Sequence, residues 1–262
     1  MRQGFVIPVY NHGNTLEGVV SALSQYNLPI IVVDDGNDEE NRNYINQVAA
    51  AHKNVTVITN KRNRGKGYSV CAAVKLAKKM EITHLFQIDA DGQHDTKNTC
   101  RAFLEESQAH PEAMICGYPE FDASVPAARF KAKKISNVYS EFVTLSKGQI
   151  KDAMCGYRIY PVEPFYKICR RTWIDSHMGF DSEILVRLIW ADVPVIYKEV
   201  HVTYPVGGKS NFRVVRDNIH ISFMFARLTV GMWLRYPWLK IRQIKRRKLA
   251  KAAQNSTQEE AK

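Results

Sequence analysis

The sequence is poor in the residues that build stapled or repetitive architectures. Its 262 residues include five cysteines, 14 glycines and 10 prolines. The cysteines (Cys71, Cys100, Cys116, Cys155 and Cys169) are odd in number, widely spaced and free of any CxxC pair. A disulfide scaffold and a structural zinc site are thereby disfavoured, and free thiols are expected. Sparse Gly and Pro beside 45% hydrophobic side chains exclude a disordered or collagen-like chain. No signal peptide is expected, because Met1 and Arg2 lead straight into the strand-like run Gly4 to Val9. The histidines show no metal-ligand spacing, and no Ser or Cys stands in a nucleophile elbow.

Acid is scarce in one region only. Through residue 217 there are 27 Lys/Arg against 24 Asp/Glu, and after it 10 against 2. The net charge of +11 therefore belongs mainly to a C-terminal appendage. The nearly neutral body argues against a nucleic-acid-binding face, and no nucleic-acid partner is expected.

The first half alternates between short apolar runs and helical patterns. Strands are expected at 4–9, 29–33, 55–59, 83–89 and 113–116. Helices are expected at 14–26 (with a capping-box-like Asn14…Glu17 start), about 38–51, from the 60–67 loop to 79, and 96–109. This rhythm implies βαβ units and a parallel sheet buried on both faces. The second half is less regular: a helix at 130–147, a strand at 154–160, an amphipathic helix at 180–191, a long strand at 193–204 and a basic loop at 207–210. Ligands of such sheets bind at the carboxyl ends of the strands. That is where Pro8-Val9-Tyr10-Asn11, Asp34-Asp35 and Asp89-Ala90-Asp91 fall.

Asp89-Ala90-Asp91-Gly92-Gln93 is the sharpest signal. Two carboxylates one residue apart at a strand end point the same way, and like charges that close need a cation. A hard divalent ion with oxygen ligands meets that need and leaves positions for a diphosphate, with Gln93 as a neutral oxygen donor. An acidic turn is the plain alternative. Asp34-Asp35-Gly36 reads as a capped turn or as a carboxylate for a ribose or base. In Asn63-Arg64-Gly65-Lys66-Gly67 the glycines let backbone approach an anion, and Lys66 and the following helix N-terminus favour negative charge. The pattern is neither GxGxxG nor a P-loop, so an ordinary basic loop competes. Asp181 is either a helix N-cap or a general base facing the ligand edge. Lys209, Ser210 and Arg213, with Tyr157-Arg158, are candidate phosphate contacts, or simply solvated.

The segment 219–239 is rich in aromatic and aliphatic residues. At 100° per residue Arg216, His220, Arg227 and Arg235 fall on one stripe. Arg227 and Arg235 interrupt the apolar character of the segment too often for a simple spanning helix of roughly 20 residues. An interfacial helix is expected, with Trp233, Tyr236 and Trp238 beside a 240–251 stretch of seven cations and no acid that suits anionic headgroups. A core helix with a solvated tail is the alternative.

The motifs Ile7-Pro8-Val9-Tyr10-Asn11, Val32-Val33-Asp34-Asp35-Gly36, Asn63-Arg64-Gly65-Lys66-Gly67 and Gln87-Ile88-Asp89-Ala90-Asp91-Gly92-Gln93 occur in the order seen in family 2 glycosyltransferases. The sequence most resembles their polyprenyl-phosphate sugar synthases, over about residues 4–213, with Cys155-Gly156-Tyr157-Arg158 and Gly208-Lys209-Ser210 included. The resemblance implies an α/β GT-A fold, Rossmann-like with a mostly parallel sheet flanked by helices, and inverting transfer from a UDP- or GDP-sugar. By position, Pro8, Tyr10, Asn11 and Asp35 would line the nucleotide pocket, with Asp34 and Lys66 nearby. Asp89, Asp91 and Gln93 would hold Mg²⁺ or Mn²⁺, and Lys209, Ser210 and Arg213 would close over the donor. A lipid or polyprenyl-phosphate acceptor would need no base, Arg129, Lys131 or Arg158 positioning it; a hydroxyl acceptor would need one, with Asp181 the candidate.

Two departures matter. His12 stands where the polyprenyl-phosphate enzymes usually have an acid, and the two C-terminal spans of some members are missing. Membrane contact is therefore expected to be peripheral, at an anionic cytoplasmic face. The expected organisation is a GT-A domain over 1–215, an amphipathic helix and basic membrane-associating segment over 216–251, and a disordered tail over 252–262. A sugar-phosphate nucleotidylyltransferase is disfavoured by the lack of a Gly-rich loop with Arg after the first strand. A non-catalytic membrane-binding adaptor would explain the tail but not the acidic strand ends.

Overall fold

Short β-rich apolar runs separated by helices produce a seven-stranded sheet with helices on both faces. The computed structural model describes residues 1–93, 96, 99–119, 127–201 and 214–260. The strands are β1 (Gln3–Val9), β2 (Ile30–Asp34), β3 (Val55–Thr59), β4 (His84–Gln87), β5 (Met114–Pro119), β6 (Arg158–Pro161) and β7 (Val195–Val200). They lie in the order β3-β2-β1-β4-β6-β5-β7. The sheet is mixed rather than wholly parallel: β6 runs antiparallel to both neighbours, with Gln87 opposite Arg158 and Cys116 opposite Arg158. Because β6 is reversed, its first residue lies at the sheet edge where β1, β2 and β4 end.

The helices are α1 (Gly13–Ser24), α2 (Glu39–Ala51), α3 (Lys66–Lys79), α4 (Thr99–Ala109), α5 (Ala127–Thr144), α6 (Val162–Arg171), α7 (Phe180–Trp190) and α8 (Val214–Glu260). One sheet face packs Phe5, Ile7 and Phe86 against Leu16 and Val20 of α1, Ile45 of α2 and Phe103 of α4. The other packs Val6, Ile31 and Leu85 against Val70 and Val74 of α3, Phe165 of α6 and Ile184 of α7. Strands buried on both faces read as unbroken apolar runs, which is why β1 and β2 lack alternation.

Several boundaries differ from expectation. The capping box does not form: His12 precedes α1 without a side-chain cap. Asn41 of α2 accepts the Gly13 N–H, while Glu17 accepts from Ser21 and pairs with His52. Asp38 does cap α2, accepting the Asn41 N–H. The expected strand at 154–160 begins only at Arg158, because Asp152 Oδ1 accepts the N–H groups of Met154 and Cys155 and closes a turn there. Among described residues the last strand covers Val195–Val200, with the rest of the expected 193–204 strand beyond residue 201 outside them. Helix α7 is buried over nearly its whole length rather than amphipathic.

Helix α8, 47 residues long, continues through Glu260 and so includes most of the segment expected as a disordered tail. Met224, Phe225, Leu228, Met232 and Leu239 bury one side of it against Val143 of α5 and Val186 and Trp190 of α7. Among the described residues no helix is long and apolar enough to cross a membrane.

Candidate active site

The carboxyl ends of β1, β2 and β4, the start of α3, the start of β6 and the first turn of α7 meet at one sheet edge. Lys66, the first residue of α3, reaches to both carboxylates there. Its Nζ lies 2.8 Å from Asp89 Oδ1 and 3.0 Å from Asp181 Oδ2. A second contact to Asp89 Oδ2 is 3.1 Å long. Asp181 Oδ1 accepts from Gln87 Nε2 at 3.1 Å, and the Gln87 oxygen accepts from Tyr160 Oη at 3.2 Å. Arg158 donates from below to the Asp181 carbonyl. Burial opposes the charge on Lys66, yet Asp181 and Asp89 outweigh it and hold the ammonium above the ordinary lysine range.

Asp181 sits inside the first turn of α7 rather than at its N-cap, which is Gly179. Asp89 lies just beyond β4, so strand alternation does not align it with Asp91. Asp91 is partly exposed in the following turn, and its Oδ1 accepts the Gln93 backbone N–H at 3.0 Å. Pro8 and Tyr10 are half-buried at the end of β1, and the exposed Asn11 adopts a φ of 59°.

The other acidic pair is committed to its own loops. Asp34 accepts from Asn37 N and Nδ2 and pairs with Arg42 at 3.2 Å. Asp35 accepts from Asn60 Nδ2 and from the backbone N–H groups of Arg64 and Gly65. Both aspartates are buried, and Asp35, one of the expected nucleotide-pocket residues, anchors the 60–65 loop. The glycines of that loop pack closely against the backbone of residues 175–176. A Cβ at Gly65, where φ is +90°, would stand 2.1 Å from the Ser176 carbonyl oxygen, and one at Gly67 would stand 2.3 Å from that of Asp175.

Two further expectations change. Tyr157 is a core residue: its hydroxyl meets Thr99 Oγ1 and Cys100 Sγ, and its ring packs edge-on against Phe86 and Phe103. Arg158 is fully buried, with no surface from which to hold a phosphate, and it braces the start of α7. Its Nε and Nη2 have no partner among the described residues. Lys209, Ser210 and Arg213 lie outside the described residues.

Sequence reasoning did not assign site roles to Gln87, Gly156 or Tyr160. Gly156 is the closest-packed of these: a Cβ there would stand 2.4 Å from Lys66 Nζ and 3.1 Å from Asp89 Oδ2. The only signal was its place in the Cys155-Gly156-Tyr157-Arg158 motif.

The residues suit a divalent ion. The Lys66 ammonium already marks a position where positive charge is held between Asp89 and Asp181, and Asp91, two residues after Asp89, is partly exposed. Among the described residues no three His, Cys, Asp or Glu side chains form a cage. One or two carboxylates completed by substrate phosphates is the usual manner of holding Mg²⁺.

Residues 5–176 match the family model described as Glycosyl transferase family 2. The chain belongs to that family. It is 24% identical over 255 residues to a dolichyl-phosphate beta-glucosyltransferase of Trichomonas vaginalis, covering 87% of this chain and 72% of the relative. It is 21% identical over 215 residues to the glycosyltransferase AglJ of Haloferax volcanii, covering 80% of this chain and 66% of that protein.

Solved structures support the fold. A Pyrobaculum calidifontis mannosyltransferase, in complex with GDP-Man and Mn²⁺, aligns with a TM-score of 0.55 at 15% identity, covering 79% of this chain and 58% of that one. GalNAc-T7, with UDP, GalNAc and Mn²⁺, aligns with a TM-score of 0.53 at 15% identity, covering 82% of this chain and 45% of that one. This glycosyltransferase thus has the GT-A architecture and spans about half the length of those two structures.

Proposed function

We propose that this glycosyltransferase moves a sugar, with inversion, from a UDP- or GDP-sugar to a lipid-linked polyprenyl-phosphate acceptor, using Mg²⁺ or Mn²⁺. The observation that carries the reading is the convergence of Lys66, Asp89 and Asp181, with Asp91 in the turn that follows Asp89, at the ligand-binding edge of a family 2 sheet. A dolichyl-phosphate beta-glucosyltransferase among the relatives, and similar folds holding GDP-Man with Mn²⁺ or UDP and GalNAc with Mn²⁺, support the substrate classes.

The principal charge to be stabilised is that developing on the departing nucleoside diphosphate. A divalent ion held by Asp89 and Asp91 would supply positive charge for it. Lys66 supplies a second, covalently attached cation at the same edge. Gln87 and the buried Arg158 fix Asp181, one on its carboxylate and one on its carbonyl, so the edge is preorganised. Both oxygens of Asp181 are engaged, Oδ2 by the Lys66 ammonium and Oδ1 by Gln87, so neither is turned toward an acceptor hydroxyl. That favours an acceptor needing no base, as an already ionised lipid phosphate does, over a hydroxyl.

The proposal extends to location. The seven cations of 240–251 suit the anionic cytoplasmic leaflet at about 1 kcal/mol each. The enzyme is then peripheral, meeting donor from water and acceptor from lipid.

The test is transfer from a panel of UDP- and GDP-sugars to a short polyprenyl phosphate, read by product mass, with and without Mn²⁺. A metal-dependent glycosyl phospholipid is expected, and Asp91→Ala should lower turnover at least about 100-fold. Near-normal transfer by that variant removes the metal role, and a product formed only with hydroxyl acceptors removes the lipid-phosphate one.

A further inference from the structure

Asp89 follows β4 and Asp181 belongs to α7, 92 positions apart in the chain, yet one ammonium touches both within 3.0 Å. Two carboxylates sharing a neighbour that close repel unless a cation lies between them. Lys66 is held in that position from several sides. It opens α3, its helix start is pinned by the Gly67 N–H on Ser176 O, and its Nζ occupies space that the bare backbone of Gly156 leaves open, where a Cβ would stand 2.4 Å from it. The Lys66 side chain as a whole is about a quarter exposed, so it stands at the open edge of the sheet rather than deep in the core.

Resting on the metal-dependent reading above, we propose that Lys66 is a built-in counter-ion that keeps the Asp89–Asp181 pair assembled before any divalent ion arrives. It competes with that ion for Asp89. A free enzyme so neutralised binds divalent metal weakly. A donor diphosphate offers Lys66 another anion, so nucleotide and metal bind cooperatively, each strengthening the other by the same factor. Uncharged side chains at position 66 take the cation from between the two carboxylates, which raises affinity for metal alone and removes much of the coupling.

The experiment measures Mn²⁺ affinity by the electron paramagnetic resonance of free Mn²⁺, with and without GDP or UDP. It compares the wild type, Lys66→Met and Lys66→Arg, each checked for folding by circular dichroism. In the wild type, nucleotide should tighten Mn²⁺ binding by at least about 10-fold, within the usual range of coupling between sites. Lys66→Met should bind Mn²⁺ alone about 10-fold more tightly than the wild type and gain much less from nucleotide. Lys66→Arg, which keeps the charge, should resemble the wild type. Equal or weaker binding of Mn²⁺ alone by folded Lys66→Met overturns the counter-ion role while leaving a metal-dependent enzyme intact. Failure of every form to bind Mn²⁺, with nucleotide or without, overturns the metal reading and the counter-ion role with it.

Discussion

Gly156 is the tightest point of the site. A methyl group there would meet Lys66 Nζ at 2.4 Å, Gln87 Nε2 at 2.8 Å and Asp89 Oδ2 at 3.1 Å. The first two contacts are closer than real Cβ atoms tolerate, so Lys66 and Gln87 must move. Both hold Asp181, and Lys66 also holds Asp89, so one added methyl disturbs the whole constellation. A displacement on the order of 1 Å in a preorganised site costs roughly 100-fold in rate. Gly156→Ala is therefore expected to lower kcat/KM about 100-fold. Its thermal midpoint should stay near that of the wild type, because the atoms displaced are side-chain ends at a partly open edge. Wild-type turnover by this variant would show that the Lys66 geometry is dispensable.

The same scale shows what single residues disclosed in sequence. Asp89 and Lys66 stood out as candidate site residues because they fall at the strand end and helix start that face the ligand-binding edge of such a sheet. Asp34 and Asp35 looked equally functional, but their partners are backbone N–H groups and Asn37 and Asn60 side chains brought in by loop geometry. No spacing rule shows such commitments. Tyr157 failed for a related reason: it stands just before β6, where its ring packs into the core against Phe86 and Phe103, while Arg158 reaches α7.

At the scale of elements, Glu183 joins α7, α8 and the segment before α7. It is fully buried, with Oε1 2.6 Å from Arg187 and Oε2 2.7 Å from Arg227 of α8. Oε2 also accepts the Asp175 backbone N–H at 2.8 Å. Arg227 stacks over the Trp173 ring at 4.3 Å, which keeps the guanidinium flat against the joint. Removing one member of a buried pair typically costs about 3–5 kcal/mol. Because both arginines reach partly to solvent, Glu183→Gln should lie near the lower end, about 3 kcal/mol. Urea denaturation would read that loss, and amide hydrogen exchange should show α8 opening before the sheet. Unchanged exchange in α8 would mean that its apolar contacts with Trp190 and Val143 suffice to dock it.

Elements were legible in proportion to their locality. The βαβ rhythm through β5 comes from contiguous sequence and appears there with small boundary shifts. The reversal of β6 depends on pairing with β4 and β5, chain-distant partners, and α6 went unanticipated although Val162 and Phe165 are buried along one face of it.

For the whole molecule the decisive feature is that α8 is apolar on two opposite sides. The side carrying Met224, Leu228 and Met232 is buried against α5 and α7. Opposite it Ile219, Phe223, Val230, Trp233, Leu234, Ile241 and Ile244 are each more than half exposed. At 3.6 residues per turn these seven fall in a stripe roughly 100° wide and about 37 Å long. The cations expected on a lipid-facing stripe do not lie on it: Arg227 meets Glu183, Arg235 lies over the Trp190 ring, and Arg242 meets Asp192 and the Ile189 carbonyl. Turning those charges inward leaves an outer face with little to oppose entry into an apolar boundary, and α5 adds exposed Ile135, Val138 and Phe142.

Monomeric soluble proteins rarely show so long an uninterrupted apolar surface. Burial of a large apolar side chain is worth about 1.5–3 kcal/mol, so placing a carboxylate at Leu234 forfeits that term and adds a desolvation cost. Leu234→Asp is expected to weaken partitioning onto vesicles containing phosphatidylserine at least about 10-fold, measured by co-sedimentation. Salt should weaken the wild type partially, because the 240–251 cations are screened while the stripe is not. Unchanged partitioning of Leu234→Asp would remove lipid from this face. A wild type that ignores vesicles, yet passes from dimer to monomer on this substitution, would assign the stripe to a second copy of the chain.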